Sequence, residues 1–137
     1  MDTTEIIRLI AGILALTILA MIVLYMHTLA TTLKKCSLTT RTMQPGMVWL
    51  LLIPLFNVIW HFFVVLAVGK SLGNEFRARR IPSTDPEPGK SLGIAMCVCG
   101  ACGIIPGVVL VYLVLLFIYW GKISGFSRLL DQTPVAP

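Results

Sequence analysis

Charged side chains are what this sequence lacks most: they make up 12% of its 137 residues, and three long stretches hold none. Soluble domains carry roughly 25%. With 57% of residues hydrophobic and a mean hydropathy of +0.90, the composition excludes an ordinary water-soluble fold. Acidic residues are scarcer still, six in all, and none lies inside an apolar stretch. His61, the one histidine deep in such a stretch, therefore has no carboxylate beside it in sequence. No nucleophile and base can be paired, and the chain is expected not to be an enzyme. Repeats are missing as well, since Lys-Ser-Leu-Gly recurs at 70 and 90 only as a tetrapeptide.

What the sequence does have is apolar length. Leu9 to Met26, Met47 to Gly69 and Leu92 to Trp120 are uncharged runs of 18, 23 and 29 residues. As helices they would reach roughly 27, 34 and 43 Å, against a hydrocarbon core of about 30 Å. The first run is too long for a signal-peptide core, and Asp2 and Glu5 stand beside a single Arg8 before it, so it is expected to stay as a transmembrane helix. Thr17 can return its hydroxyl to the backbone one turn earlier. Tyr25 and His27 are expected to mark the exit into the headgroups. Residues 28 to 46 then read as a loop or a short interfacial helix that ends at Pro45-Gly46.

The second run contains Pro54, which removes a helical amide donor and favours a kink or break. Asn57 and His61 follow at i, i+4 on one helix face and form the candidate polar intramembrane site. The competing reading is that both only tie helices together and fill the gap left by Pro54. Beyond Gly69 the helix can continue through Glu75 and Arg79, a favourable i, i+4 pair. Residues 81–89 carry three prolines and read as an exposed connector.

The third run is broken by Pro106-Gly107, a strong turn dipeptide. A single crossing leaves lysine and arginine divided six to five between the two sides, which favours neither. A hairpin at Pro106-Gly107 places eight on one side and three on the other, with both termini cytoplasmic, and is the arrangement expected. One long kinked helix, and a re-entrant second run broken at Pro54, remain as alternatives. The expected fold is thus an all-α integral membrane protein with three to four transmembrane helices. It forms a single domain over 1–137, with apolar runs 9–26, 47–69, 92–105 and 108–120.

Three of the four cysteines, Cys97, Cys99 and Cys102, crowd into six residues of the third run. A structural zinc site needs four ligands, and Cys36, the remaining thiol, is expected across the membrane. Gly93, Cys97 and Ala101 instead make a small-xxx-small stripe for close helix packing. A Cys99/Cys102 redox pair is the weaker alternative, and no metal or cofactor is expected. Lys70, Arg77, Arg79, Arg80, Tyr119, Trp120 and Lys122 read as interfacial anchors, and the basic cluster is too short to suggest nucleic-acid binding. Ile123, Phe126 and Leu130 give the tail an apolar stripe suited to the membrane surface.

Residues 41–128 also carry a recognisable pattern: "RTMQPGMVWLLLIPLFNVIWHFFVV", then "SLGNEF", then "YWGKISGFS". It resembles a group of small uncharacterised bacterial membrane proteins, some of which carry an N-terminal GYF-like domain. Arg41, Pro45, Gly46, Trp49, Pro54, Asn57 and Trp60 bear the resemblance. It implies a multi-pass protein of the bacterial inner membrane and brings no activity with it. The GYF-like module is not in this sequence, so a partner role tied to that module does not carry over. The expected function is contact with lipid, with a partner membrane protein or with further copies of the chain. The alternative is a small channel or transporter subunit with Asn57 and His61 lining a polar path.

Overall fold

A computed structural model describes residues 1–134, which form helices and turns with no strand among them. Helix α1 spans Thr3–Lys35, α2 Phe56–Ala78, α3 Lys90–Ala101 and α4 Val108–Gln132, and a 3-10 helix occupies Pro45–Leu52. Of these, α1, α2 and α4 are long and apolar enough to cross a membrane, while α3 is a shorter apolar helix. Helix α1 runs unbroken for 33 residues, about 50 Å. It has Glu5 in its first turn and Lys34 and Lys35 in its last, both favourable to the helix dipole.

The chain is expected to cross at the second run, and it does not do so as one kinked helix. From Thr42 it descends beside α2 and then turns back. Thr42 N–H donates to Ser71 Oγ at 2.9 Å, and its hydroxyl donates to Ala67 O at 3.0 Å. Lower down, Trp60 Nε1 donates to Met47 O at 2.9 Å. The 3-10 helix thus runs antiparallel to α2, and the reversal falls at Ile53 to Leu55. Pro54 ends the descending arm because it has no amide to donate. Leu55 takes a φ of 67°, a left-handed conformation disfavoured for a leucine, to start α2. Pro45 opens the 3-10 helix, Pro54 turns it and Trp60 clasps it.

As a result the first loop and the connector meet at one end of the bundle. Asn74 Nδ2 donates to Thr40 O at 3.2 Å, and Arg79 donates to Lys35 O at 2.9 Å and to Leu130 O at 2.6 Å. This corrects the expectation that these two loops lie on opposite sides. The re-entrant second run and the hairpin of the third run, weighed in sequence as competitors, occur together. Ten of the eleven basic residues, all but Arg8, belong to this end or to the level just beneath it.

The third run reverses at 102–107, and Gly107 takes the φ of 92° that such a turn requires. Helices α3 and α4 then pack side by side. A Cβ on Gly93 would stand 2.2 Å from Val65 Cγ1 and 2.9 Å from Tyr119 Cε2, so only glycine allows α3 its approach to α2 and α4. Helix α4 continues straight past Trp120 to Gln132. Ile123 and Leu130 are buried in the bundle rather than laid along a membrane surface, and Phe126 meets Phe76 edge-on at 5.6 Å. The connector is exposed from Pro82 to Pro86, as expected, and seated at its end: Pro88 and Gly89 are buried, and a Cβ on Gly73 would stand 2.0 Å from the Pro86 carbonyl oxygen.

Burial divides α1 in two. From Tyr25 to Leu33 it enters the core with Met26, Leu29 and Ala30. From Thr3 to Leu24 no residue is buried, and Ile7, Ile10, Leu14 and Leu16 are more than half exposed.

Candidate functional site

Two polar features stand out in this apolar chain. The first is a knot at the basic end, built around Glu75. Its carboxylate is fully buried and accepts from Ser37 N–H at 3.0 Å, Ser37 Oγ at 3.1 Å, Thr40 Oγ1, and Arg79 Nε at 2.7 Å. Arg79 turns its other donors to the carbonyls of Lys35, Leu130 and Thr133, so one guanidinium joins the C-terminal ends of α1, α2 and α4. Arg41 closes α1 by donating to the carbonyls of Leu33, Lys34 and Cys36, which are otherwise orphaned at a helix end. Lys35 reaches Asp131 at 2.7 Å and Ser127 Oγ at 2.8 Å. Burial, together with the adjacent Glu75 carboxylate, pushes the Cys36 thiol up to about 12, against a partial offset from Arg41 and Arg79. No buried side-chain nitrogen or oxygen in the described structure lacks a partner.

The second feature is a cavity of about 240 Å³ between α2, α3 and α4. Asn57, His61, Cys97, Cys99 and Tyr112 line it, with Val58, Ala101 and Val109 at its exposed rim. The polar pair of the second run and the thiols of the third therefore belong to one site. His61 is 7% exposed, and its Nε2 shares a 3.0 Å hydrogen bond with the Tyr25 hydroxyl. Because no buried polar atom is unpaired, Nδ1, which has no protein partner, is not fully enclosed, and His61 lines the cavity. When Tyr25 donates, Nδ1 carries the ring proton and offers a donor; when Tyr25 accepts, Nδ1 is an acceptor. Among the described residues, the Asn57 amide and the Tyr112 hydroxyl meet no protein partner. The described His, Cys, Asp and Glu side chains form no group of three suited to a metal ion.

Several residues take roles other than those expected from sequence. Tyr25 is 6% exposed and lies inside the bundle, bonded to His61, instead of marking the headgroups. Tyr119, expected as an interfacial anchor, is 1% exposed because it fills the space that Gly93 leaves open. Trp120 is half-buried and donates from Nε1 to Thr28 Oγ1 at 2.9 Å. Arg79 is a structural clasp, whereas Lys70, Arg77, Arg80 and Lys122 are exposed. Of the packing stripe, Gly93 and Cys97 are buried but Ala101 is exposed at the rim, and Gly100 instead takes the face of Tyr112. The Asn57 side chain does not fill the gap left by Pro54; only its backbone N–H bonds there, donating to Ile53 O at 2.9 Å.

Nothing in the sequence marks Ser37 and Thr40 as partners of Glu75 near the α2 terminus, Arg41 as the clasp of the α1 terminus, or Tyr25 and Tyr112 as companions of His61. Hydroxyl-rich loops and aromatic residues near span ends are common, and only the hairpin geometry brings these together. No protein family, curated protein or solved structure was found to match the chain.

Proposed function

We propose that this is a non-enzymatic, multi-pass membrane protein that acts through contacts of its helices with lipid, with a partner membrane protein or with further copies of itself. One observation carries the reading. The first 22 residues of α1, Thr3 to Leu24, stand clear of the rest of the chain, while its C-terminal end is clasped to α2 and α4 at the Glu75 knot. A free apolar helix of this length, about 33 Å, is covered by the bilayer and by whatever packs against it there.

The distribution of charge supports an orientation. With both basic loops and α4's C-terminal turn at one end, ten of eleven basic residues fall there and only Arg8 lies at the other. By the positive-inside rule the clasped end faces the cytoplasm and the N-terminus the opposite side. The resemblance to small bacterial membrane proteins suggests the inner membrane. Lys70, Lys90 and Lys122 stand near one level, since Gly69 meets Lys90 and Gly89 meets Ile123. Beneath them α2 and α4 extend about 14 residues each, roughly 21 Å. Lysine snorkelling and local thinning make up the difference from a 30 Å core.

A second reading, a channel or transporter subunit, draws on one observation: Asn57 and His61 line the same cavity. Liposomes holding the purified protein separate the two. Ion or proton flux no greater than that of empty liposomes is expected, while a photo-crosslinker at Leu14 is expected to give adducts confined to the membrane phase. Flux that disappears in His61→Gln, with particle size unchanged, would reverse the order of the two readings.

A further inference from the structure

We infer that the cavity between α2, α3 and α4 is a binding site for the head of a neutral amphiphile, a molecule with a carbonyl or hydroxyl head and an apolar tail. Its position in the bilayer is the first argument. His61 lies nine residues beneath Lys70 and Tyr112 ten residues beneath Lys122, which is about 13 to 15 Å along each helix. That depth is within the acyl region of a core about 30 Å thick, and the rim residues Val58, Ala101 and Val109 are exposed to it. Such a site is filled sideways from the lipid, by a molecule already dissolved there.

The chemistry of the lining sets the class of occupant. No charged side chain lines the cavity, so an ion or an anionic headgroup would enter without a counter-charge. Three of the lining residues carry a polar group with no protein partner: His61 its Nδ1, Asn57 its side-chain amide and Tyr112 its hydroxyl. Between them they offer donors and acceptors, and in hydrocarbon each is costly while unpaired. A neutral carbonyl or hydroxyl satisfies them, and the Tyr25 to His61 bond lets Nδ1 change between donor and acceptor to suit either. Size narrows the choice. At about 240 Å³ the cavity is smaller than the roughly 300 to 1,000 Å³ that encloses a whole drug-sized ligand. It holds a head or a single ring, with the tail passing over Val58 and Val109 into the lipid. Alkyl quinones and diacylglycerols both meet this description. The inference does not rest on the contact role of α1 and would outlast its failure.

The test uses the full chain in nanodiscs and a decanol analogue carrying a photoreactive diazirine, with adducts mapped by mass spectrometry. Saturable labelling of the 57–61 and 97–103 peptides is expected, competed by unlabelled decanol and not by dodecane, which has the tail without the head. Dioctanoylglycerol and a decyl-substituted benzoquinone, added separately, show which source of the shared chemistry fits better. Asn57→Leu should weaken competition about tenfold, the worth of one hydrogen bond to a neutral group. Ala101→Phe fills the rim without touching the Tyr25 to His61 bond and should abolish the site-specific labelling even if Asn57→Leu folds poorly. Labelling spread along the exposed half of α1, equal competition by dodecane, or labelling unchanged in Ala101→Phe would each overturn the assignment.

Discussion

Replacing Glu75 with alanine is expected to cost more stability than any other single change at the basic end. The carboxylate is buried and receives four donors from two segments, and Arg79, whose side chain is 8% exposed, has it as its salt-bridge partner. Alanine would leave that guanidinium buried with carbonyls alone and strip Ser37 N–H of its acceptor. Removing one partner of a buried pair costs about 3 to 5 kcal/mol, because the remaining charge is uncompensated. Glu75→Gln keeps the volume and an acceptor oxygen and loses only the charge, for about 1.5 to 3 kcal/mol. Glu75→Ala combined with Arg79→Ala should cost less than the two single changes added together, since no lone charge is left behind. Equilibrium unfolding in detergent micelles, followed by tryptophan fluorescence, reads all four variants. An alanine variant within about 1 kcal/mol of the parent would refute the view that this knot holds α1, α2 and α4 together.

Other outcomes follow from the same geometry. Gly93→Ala places a methyl group against Val65 and Tyr119 and should cost about 1 to 3 kcal/mol, while Gly12→Ala, with nothing within 4 Å, should gain about 0.5 to 1 kcal/mol; thermal unfolding of the two variants compares them directly. His61→Gln should be mild, and His61→Leu worse, because leucine strands the Tyr25 hydroxyl; Tyr25→Phe added to His61→Leu should restore part of the loss in the same assay. Cys36 should resist thiolate-directed alkylation at pH 8 while Cys102, at the exposed hairpin turn, reacts. Between pH 9 and about 12 the unfolded chain releases the Cys36 proton and the folded chain keeps it, so stability falls with rising pH there, and Cys36→Ala should lack that part of the slope. Cysteines introduced at Leu38 and Thr84 should be labelled from the same side of the membrane, and one at Thr3 from the other.

Much of the architecture is legible from apolar run length and from Pro-Gly chemistry. The scarcity of charge alone requires a membrane, and helices are the form in which an open chain satisfies its backbone there. Pro106-Gly107 marks the turn of the third run because one residue removes an amide and the other accepts a positive φ. Both properties belong to the residues themselves and are local. The path of the second run is not local. Pro54 announces a break, but whether the chain then crosses or returns depends on Thr42 meeting Ser71 and on Met47 meeting Trp60, contacts between residues 13 to 29 positions apart. Charge counting fails for the same reason, since it assigns loops to sides only after the number of crossings is known. The candidate site shows the division most clearly. Asn57 and His61 share a helix face by periodicity, which sequence displays. Tyr25 joins His61 only because α1 lies against α2, and Cys97 and Tyr112 join the pair only because glycine at position 93 lets α3 press against Val65 and Tyr119, a matter of a few ångströms between helices that no spacing along the chain records.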